Sequence, residues 1–368
     1  MKSIKTKLIV YFSILLFISS TILGYLSIIN ASAALEKESE KALYSMAVDA
    51  AKLTYSRMET QIKILEMIAL REDIQSMNWE IQKPVLQKHV KDSGFLEIGV
   101  VQPDGTAYYL DGSTKDLGDR EYIKKALNGE ANISDLIVSR VTNELVFVYA
   151  IPIERDGKVV GGLIGRKSAE ALSEITNDTG FGESGYAYII DGQGRVIAHP
   201  DNEKVLNEWN PIEEAKNDKT LESVARYFEK VLQEKNGVDS YSFEGHDLYG
   251  AYAPITKTDW TVIVTASKDE VLSSVPVLQL NIVIVVAIIL LIGIAIVYLI
   301  GKSITEPIIQ TVKHNEKIAT LDISQDVPEK YLRKKDEIGK LAAAIQTITN
   351  SLKQIIGQIN NSSEQVSL

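Results

Sequence analysis

The chain has 368 residues, of which 45% are hydrophobic and 24% are charged, and its formal net charge is -10. This composition excludes a wholly disordered chain, and the length predicts about two or three domains. The acidic balance without basic clusters argues against nucleic-acid binding, and the absence of cysteine excludes disulfides, thiolate metal sites and a cysteine nucleophile.

Two stretches of the chain, residues 8–35 and 271–301, contain no charged residue. A helix of about 20 mostly apolar residues crosses the roughly 30 Å hydrocarbon core of a bilayer, so we predict membrane spans at 8–29 and 277–300. The sequence Ala31-Ser32-Ala33 resembles a signal-peptide cleavage site. The first apolar stretch is nevertheless longer than the about 7–15 residues usual in signal peptides, which favours an uncleaved anchor.

Lysines without neighbouring acidic residues flank each span on one side, whereas on the other side acidic residues are mixed in, such as Glu36, Glu38, Asp269 and Glu270. The lysines precede the first span and follow the second, at Lys2, Lys5, Lys7, Lys302 and Lys313. The positive-inside rule therefore places residues 1–7 and 301–368 in the cytoplasm and residues 30–276 outside the cell membrane. The outer segment holds 27 basic and 41 acidic residues, a net charge of -14, so the acidity of the chain belongs to this segment.

The outer segment begins with a predicted helix over residues 30–71, which is rich in Ala, Leu, Lys, Glu and Met and lacks Gly and Pro. Pro84 is expected to break the stretch that follows, and after Gly94 the pattern becomes β-like. A first series of elements is predicted: strands Phe95–Gln102 and Thr106–Leu110, helix Asp119–Asn128, and strands Leu145–Ile153 and Val159–Ile164.

A second series then follows in a similar order. It comprises strands Gly185–Ile190 and Arg195–His199, helix Pro211–Gln233, and strands Ser240–Phe243, Leu248–Pro254 and Trp260–Ala266. Two tandem modules of antiparallel strands with helical insertions, preceded by a long stalk helix, are an α+β arrangement.

These two modules carry a specific resemblance. The stretches DLGDREYIKKALNGEANISDL and VYAIPIERDGKVVGGLIG in residues 95–175, together with GESGYAYIIDGQGRVIAHPD and YGAYAPITKTDWTVIV further on, resemble the double Cache sensor family. That family folds as two PAS-like modules on a long stalk helix. The resemblance implies a stalk region at 30–93, a membrane-distal module at 94–180 and a membrane-proximal module at 181–270.

After the second span the chain shows two helical patterns around a polar connector. The second pattern alternates steps of three and four over three heptads, at Ile338, Leu341, Ile345, Ile348, Leu352, Ile355 and Ile359. Such a seam is typical of a coiled coil or a parallel bundle. With Pro307 and Asp336-Glu337-Ile338-Gly339 it resembles a HAMP domain, over residues 301–355, which implies a parallel homodimer.

One position departs from the HAMP pattern, because Leu321 stands where many members have a connector glycine. Residues 356–368 resemble the start of the signalling helix of a chemotaxis receptor. The signalling hairpin that would follow is not in this sequence, so we expect either that the chain is a fragment, truncated before that hairpin, or that the output is supplied from elsewhere.

The distal module provides the candidate ligand contacts. In double Cache domains that bind amino acids, an Arg-x-Trp-Tyr run holds the ligand carboxylate, while a Tyr-x-Asp pair and a later Asp hold the ammonium group. The resemblance puts Arg120 at the Arg position and Tyr122 at the Trp position. It puts Ile123, Ile137, Ser139 and Arg166 where the family has the second Tyr of the run, the Tyr-x-Asp pair and the last Asp.

The ammonium-binding acids are therefore missing, and an anion such as an organic acid is expected rather than an amino acid, because each buried ligand charge needs a partner. The candidate ligand-binding residues are Asp119, Arg120, Tyr122, Asp135, Ser139 and Arg166. The alternative is that Asp119 and Arg120 form a structural cap and ion pair at the helix start. The proximal module, with Tyr188, His199 and Tyr252, is the weaker candidate.

The four histidines lie in unrelated contexts and none has metal-ligand spacing, so we expect no metal, no cofactor and no enzyme. The sequence predicts a transmembrane chemoreceptor that senses an extracellular small molecule and passes the signal through HAMP to a chemotaxis histidine kinase and its coupling protein. The alternative is the sensor half of a membrane histidine kinase or diguanylate cyclase.

Overall fold

The computed structural model describes residues 4–176 and 179–366, so Lys2, one of the lysines that define the predicted orientation, lies outside the described residues. The chain divides into two compact units. One is Ser32–Ser274, and the other combines Met1–Ala31 with Val275–Leu368.

The chain begins with one long helix, α1, which spans Ile4–Ala69 over 66 residues. Beyond its apolar start, one face is buried by residues at helical spacing, including Leu43, Ala47 and Leu65. The helical run then breaks at residues 70–78, around the short α2 (Glu72–Gln75), and resumes as α3 (Trp79–Ser93). The expectation that Pro84 breaks the helical stretch is therefore wrong. This proline lies inside α3, where it lacks only the bond to the carbonyl of Glu80.

Seven antiparallel strands form the first sheet. They are β1 (Glu97–Val101), β2 (Thr106–Tyr108), β3 (Thr114–Asp116), β4 (Asn132–Ile133), β5 (Ile137–Val138), β6 (Leu145–Arg155) and β7 (Lys158–Ser168). Their order is β3-β2-β1-β7-β6-β4, with β5 also paired to β6. The strands β3, β4 and β5 were not predicted, because two or three residues carry no readable alternation.

The two faces of this sheet bury different partners, as alternating side chains on a strand require. Phe147 and Ile151 of β6 join a core that contains residues of α1. Val146 and Val148 lie on the opposite face, in a cluster with residues of helix α4 (Glu121–Leu127). We call this opposite side of the sheet the α4 face.

The second sheet has the order β10-β11-β12-β8-β9. Its strands are β8 (Ala187–Ile190), β9 (Val196–Ala198), β10 (Gly237–Phe243), β11 (His246–Pro254) and β12 (Thr261–Ser267). The accompanying helices are α5 (Glu170–Thr176), α6 (Asn202–Leu206), α7 (Pro211–Glu214) and α8 (Glu222–Glu234).

The helical segment predicted over Pro211–Gln233 is present, but it is not one continuous helix. It is interrupted between α7 and α8, where the Asp218 side chain accepts a hydrogen bond from the backbone N–H of Thr220 and starts a separate 3₁₀ turn, Lys219–Leu221. An aspartate that bonds to the backbone two residues on favours a turn over a continuing helix.

After β12 come α9 (Lys268–Val271), α10 (Val275–Ala319), α11 (Glu329–Leu332) and α12 (Glu337–Val366). Helices α1 and α10 each contain an apolar stretch long enough to cross a membrane, and those stretches are almost entirely exposed. Such exposure agrees with membrane anchoring, because apolar side chains are stable in contact with lipid but not in contact with water. The predicted mixture of helix and sheet with two long apolar helices is confirmed.

Candidate functional site

Helix α4 follows directly from Arg120, which is its N-cap residue and makes no side-chain cap hydrogen bond. Tyr122, Ile123 and Ala126 are buried on its inner side against the sheet. Burial raises the pKa of the Tyr122 phenol, so this hydroxyl stays neutral at physiological pH. Tyr122 thus joins the apolar packing of the α4 face.

Asp119 is used in a contact with Arg140, not with Arg120. The Arg140 guanidinium donates to both carboxylate oxygens of Asp119, at 2.8 and 2.6 Å, and to the carbonyl of Asp116 at 2.7 Å. These hydrogen bonds lower the pKa of Asp119. The ion pair of Asp119 therefore involves Arg140 rather than Arg120, and it ties the start of α4 to the loop after β5.

Arg166 lies inside the distal module and is already paired. Its guanidinium forms a salt bridge with Glu97, which lies opposite it across strands β1 and β7. It also donates to the hydroxyl of Ser139 at 2.7 Å and faces the ring of Tyr109, 5.7 Å from its centroid. Ser139 and Arg166 are thus brought together, around an internal carboxylate that the sequence analysis did not single out.

Asp135 is exposed and points toward the second sheet. Its carboxylate accepts a hydrogen bond from the indole N–H of Trp260 at 3.3 Å, and the Trp260 ring packs 5.4 Å from that of Phe147. Asp135 therefore belongs to the contact between the two sheets of the Ser32–Ser274 unit. Neither it nor Asp119 lies in a hydrogen-bonded cluster with Arg166.

Arg120 differs from the other candidate charges. None of the carboxylates in residues 4–176 and 179–366 forms a salt bridge with it, and its Nη2 lies at 3.5 Å from the Val138 carbonyl, the limit of a hydrogen bond. Its Nε is buried and has no partner in the described part of the chain. A partly buried guanidinium with free donors is a candidate anion contact.

Arg120 lines a groove of about 900 Å³, which we call the junction groove. Three parts of the Ser32–Ser274 unit form it: residues 55–66 of α1, residues 120–137 around α4, and the turn 256–260 between β11 and β12. Its volume is in the range of about 300–1,000 Å³ found for small-molecule sites, which often occur where domains meet. Sequence reasoning missed the groove because its walls are far apart in the chain.

The second sheet surrounds an aromatic interior. Tyr186, Tyr188 and His199 lie within 6.1 Å of one another, and the space between this cluster and α8 is only about 10 Å³. That volume holds about one water molecule. Burial lowers the pKa of His199 to about 4, so its ring is neutral, and Nδ1 accepts from the Asp201 N–H at 2.8 Å.

Metal binding has no support within the described ranges, where no group of three or more His, Asp or Glu side chains is arranged to hold an ion.

Known proteins resemble this chain both in sequence and in structure. It is 28% identical to the methyl-accepting chemotaxis protein McpA of Bacillus subtilis over 251 residues, 67% of this chain and 35% of that protein. It is 23% identical to the methyl-accepting chemotaxis protein PctB of Pseudomonas aeruginosa over 348 residues, 91% of this chain and 52% of PctB. The chain thus spans about half or less of the length of these relatives.

Two solved structures share the fold. The sensory domain of the Campylobacter jejuni chemoreceptor Tlp3 with isoleucine bound has a TM-score of 0.51 at 14% identity, covering 65% of this chain and 97% of that one. The ligand-binding domain of the Pseudomonas fluorescens chemoreceptor CtaA with L-serine has a TM-score of 0.50 at 16% identity, covering 64% and 99%. Residues 31–275 match the Cache domain, and since this is more than half of the sequence, the chain belongs to the Cache domain family.

Proposed function

We propose that this chain is the sensing and membrane-spanning part of a transmembrane chemoreceptor. The observation that carries the proposal is the extent of the similarity to PctB, which runs through 91% of the chain and therefore includes the apolar stretch 277–300 as well as almost all of the sensor unit. The Cache match over residues 31–275 assigns the sensing role to the segment between the two predicted spans.

The proposed stimulus is an extracellular small molecule with an anionic group that contacts Arg120. Around α4, Arg140 and Arg166 are neutralised by Asp119 and Glu97, whereas Arg120 has no carboxylate partner among the described residues. A ligand carboxylate at Arg120 would supply the missing partner. The structural relatives bind isoleucine and L-serine, so amino acids belong in any screen.

The proposed orientation puts residues 30–276 outside and both termini in the cytoplasm. Signal relay would then pass through a HAMP-like parallel dimer over residues 301–355, from there into a signalling helix, and to a chemotaxis histidine kinase with its coupling protein. Support comes from α12, where Leu341, Ile348 and Ile359 are exposed in the single chain. A ligand shifts such a relay only if it binds one arrangement better than the other.

Orientation is tested with single cysteines, since the chain has none of its own. Asp156, at the exposed tip of the β6–β7 hairpin, and Lys313, exposed in α10, are suitable positions. In intact cells an impermeant thiol reagent should modify position 156 only. Modification at 313 would contradict the proposed topology.

The receptor function is tested with a chimera in which residues 1–355 are joined to the signalling region of Bacillus subtilis McpA. Amino acids and organic acids are first screened for a rise in the melting temperature of the Ser32–Ser274 unit, because a ligand that binds only the folded state stabilises it. Each hit should change the swimming bias of cells that carry the chimera. Hits that bind but never change the bias would refute the chemoreceptor assignment.

A further inference from the structure

The base of α1, where the helix leaves the apolar stretch 8–29, contacts the second sheet through a tyrosine. The phenol of Tyr249, in β11, donates a hydrogen bond to the carboxylate of Glu36. Tyr249 is 3% exposed and Glu36 is partly buried. Burial, together with this hydrogen bond, raises the pKa of the Tyr249 phenol. The phenol is therefore a neutral donor at physiological pH, and its bond to the carboxylate is charge-assisted.

This hydrogen bond differs from the other contacts of α1. Among the described residues it is the only side-chain hydrogen bond that joins residues 32–69 of α1 to another element, since the others lie within the helix. The buried face of α1 is otherwise mainly apolar, for example at Leu43, Ala47 and Leu65. Apolar burial is non-directional, whereas a hydrogen bond weakens steeply when donor and acceptor move out of line. The bond between Tyr249 and Glu36 therefore defines where α1 lies along its axis against β11.

The same tyrosine also contacts the segment that leads into the second apolar helix. Tyr249 is paired with Ala266 across β11 and β12, so its ring lies near the start of α9. The ammonium group of Lys268, in α9, lies 5.6 Å from the centroid of that ring. The ring attracts the cation, and more strongly where the cation is partly buried, as Lys268 is. Tyr249 thus contacts both the segment that follows the first apolar stretch and the segment that precedes α10.

Helix α9 is in turn fixed to the second sheet by Glu270. Its carboxylate accepts hydrogen bonds from the backbone N–H groups of Glu183 and Ser184 and from the Ser184 hydroxyl. The Ser184 hydroxyl and these N–H groups lower the pKa of Glu270. Because residues 183 and 184 lie just before β8, α9 is expected to move with the sheet. The element whose position can vary against that sheet is then α1.

We propose that the hydrogen bond between Tyr249 and Glu36 fixes the register of α1 against the sheet that carries α9, and we call it the register contact. The proposal rests on the sensing function proposed above. With the register contact formed, the two segments that enter the apolar stretches have one relative position. Without it, apolar packing alone holds the base of α1, and neighbouring positions along the helix compete. A ligand that favours one of these arrangements changes the output.

The register contact is tested by measuring a distance between α1 and the second sheet in the full chain, reconstituted in lipid nanodiscs. Because the chain has no cysteine, spin labels can be attached to single cysteines at two exposed positions, Lys41 of α1 and His246 of β11. An excess of unlabelled chain removes signals between copies. Tyr249→Phe should broaden the distribution of label distances or shift its maximum by about 1.5 Å or more, the rise of one helical residue.

Tyr252→Phe is the matched control for this measurement. Tyr252 lies on the same strand and also donates to a glutamate, at 2.7 Å, but that glutamate is Glu234 of α8. Its loss should leave the distances between α1 and β11 unchanged. Thermal unfolding of the same full chains separates a change of register from a loss of folding.

The role in signalling is tested in the chimera of residues 1–355 with the signalling region of McpA, without added ligand. Tyr249→Phe and Glu36→Leu both remove the register contact and should shift the basal swimming bias in the same direction. Glu36→Gln should stay closer to the unsubstituted chimera, because its amide oxygen still accepts a hydrogen bond from the phenol.

An unchanged distance distribution in Tyr249→Phe would overturn the proposal. An equal change in Tyr252→Phe would overturn it too, because it would indicate a general loosening of the sheet. An altered distribution with an unchanged bias, in a chimera that responds to a screened ligand, would mean that the contact is structural and has no role in the relay. A chimera that responds to no ligand would refute the proposed function, while the distance measurement would still decide whether the contact fixes the register.

Discussion

At the scale of single residues, three arginines of the distal module differ in what they contact. Arg140 binds an exposed aspartate, Arg166 binds a buried glutamate, and Arg120 has neither among the described residues. The sequence predicted that Arg120 and Arg166 are important but could not distinguish them. The difference depends on Glu97, which comes close to Arg166 only through the register of β1 against β7.

The Glu97–Arg166 pair gives a first prediction. Replacing Glu97 by Gln leaves a buried guanidinium without its counter-charge and should lower the free energy of unfolding by about 3–5 kcal/mol. The double variant Glu97→Leu/Arg166→Met removes both charges and should lose much less than the single one. Urea unfolding of the Ser32–Ser274 unit measures both.

The exposed Asp119–Arg140 pair is the control for that experiment. Its side chains are 61% and 37% exposed, so Asp119→Asn should cost no more than about 1 kcal/mol. A double variant as unstable as Glu97→Gln would mean that the buried pair is needed for more than charge balance.

His199 gives a second prediction, which concerns pH. Burial lowers the pKa of its imidazole to about 4 in the folded chain, below the about 6.5 of an unfolded one. The unfolded state therefore binds the proton more readily, and the folded state loses stability as pH falls from about 6.5 to 4, by up to about 3 kcal/mol. Above that window the stabilisation is fully present.

His199→Asn should flatten this part of the pH profile, because an asparagine oxygen can still accept from the N–H of Asp201 but does not titrate. Chemical denaturation at a series of pH values measures the slope. His246, which is exposed, provides the comparison, and His246→Asn should leave the slope unchanged. Equal slopes in wild type and His199→Asn would show that other groups cause the acid sensitivity.

At the scale of elements, the end of α10 contains a backbone conformation that its residue does not favour. Leu321 has a φ of +64° and a side chain that is 78% exposed. A β-carbon in this left-handed region costs about 1 kcal/mol or more, and glycine avoids that cost. In the HAMP pattern that the sequence of this segment resembles, many members have glycine at this position, and the backbone of Leu321 has the left-handed conformation that glycine favours.

We therefore predict that Leu321→Gly stabilises the bend, by about 1 kcal/mol, while Leu321→Ala does not, since alanine keeps the β-carbon. Hydrogen exchange of the amides of Leu321 and Asp322, which bond to the carbonyls of Ile318 and Lys317, reports the local stability. Slower exchange in the alanine variant as well would point to the exposed leucine side chain rather than the backbone as the source of strain.

Elements with a long periodic pattern were predictable from the sequence, and short ones were not. Strands β6 and β7 were located by their apolar runs, although each extends beyond the predicted end. The two-residue strands β4 and β5 are defined only by pairing with β6, a non-local contact. The interruption between α7 and α8 depends on one aspartate side chain, which hydrophobic periodicity does not register.

At the scale of the whole molecule, the junction groove illustrates the same limit. Its walls are residues 55–66, 120–137 and 256–260, and nothing in the local sequence of any one wall predicts the others. Arg120 was found because a family resemblance pointed to it, whereas Trp260 had been assigned only as the start of a strand. Charge and motif can be read from sequence, but a cavity exists only after distant segments pack.

The proposed relay also depends on helix α12. Its sequence pattern predicted a single apolar seam, but in the structure the apolar residues of α12 lie on two faces. Ala342, Ile345 and Thr349 are buried within the single chain, in contact with the segment that precedes α12, while Leu341 and Ile348 remain 43% and 50% exposed. The seam therefore divides into an internal contact and a stripe at heptad spacing that nothing within the described chain covers. An apolar stripe of this kind is expected to meet its equivalent in a second copy.

The last prediction follows from that division. Cysteine at Leu341 or Ile348 should form a disulfide between two copies of the chain under mild oxidation in membranes, because facing positions of a parallel pair bring their β-carbons close enough to bridge. Ala343 is the control: it is exposed too, but two residues further along a helix it points about 200° away. Covalent dimers on a non-reducing gel should thus appear for positions 341 and 348 and be weak for 343. Equal cross-linking at all three would indicate random collisions, and cross-linking at 343 alone would place the second chain on the opposite side of α12.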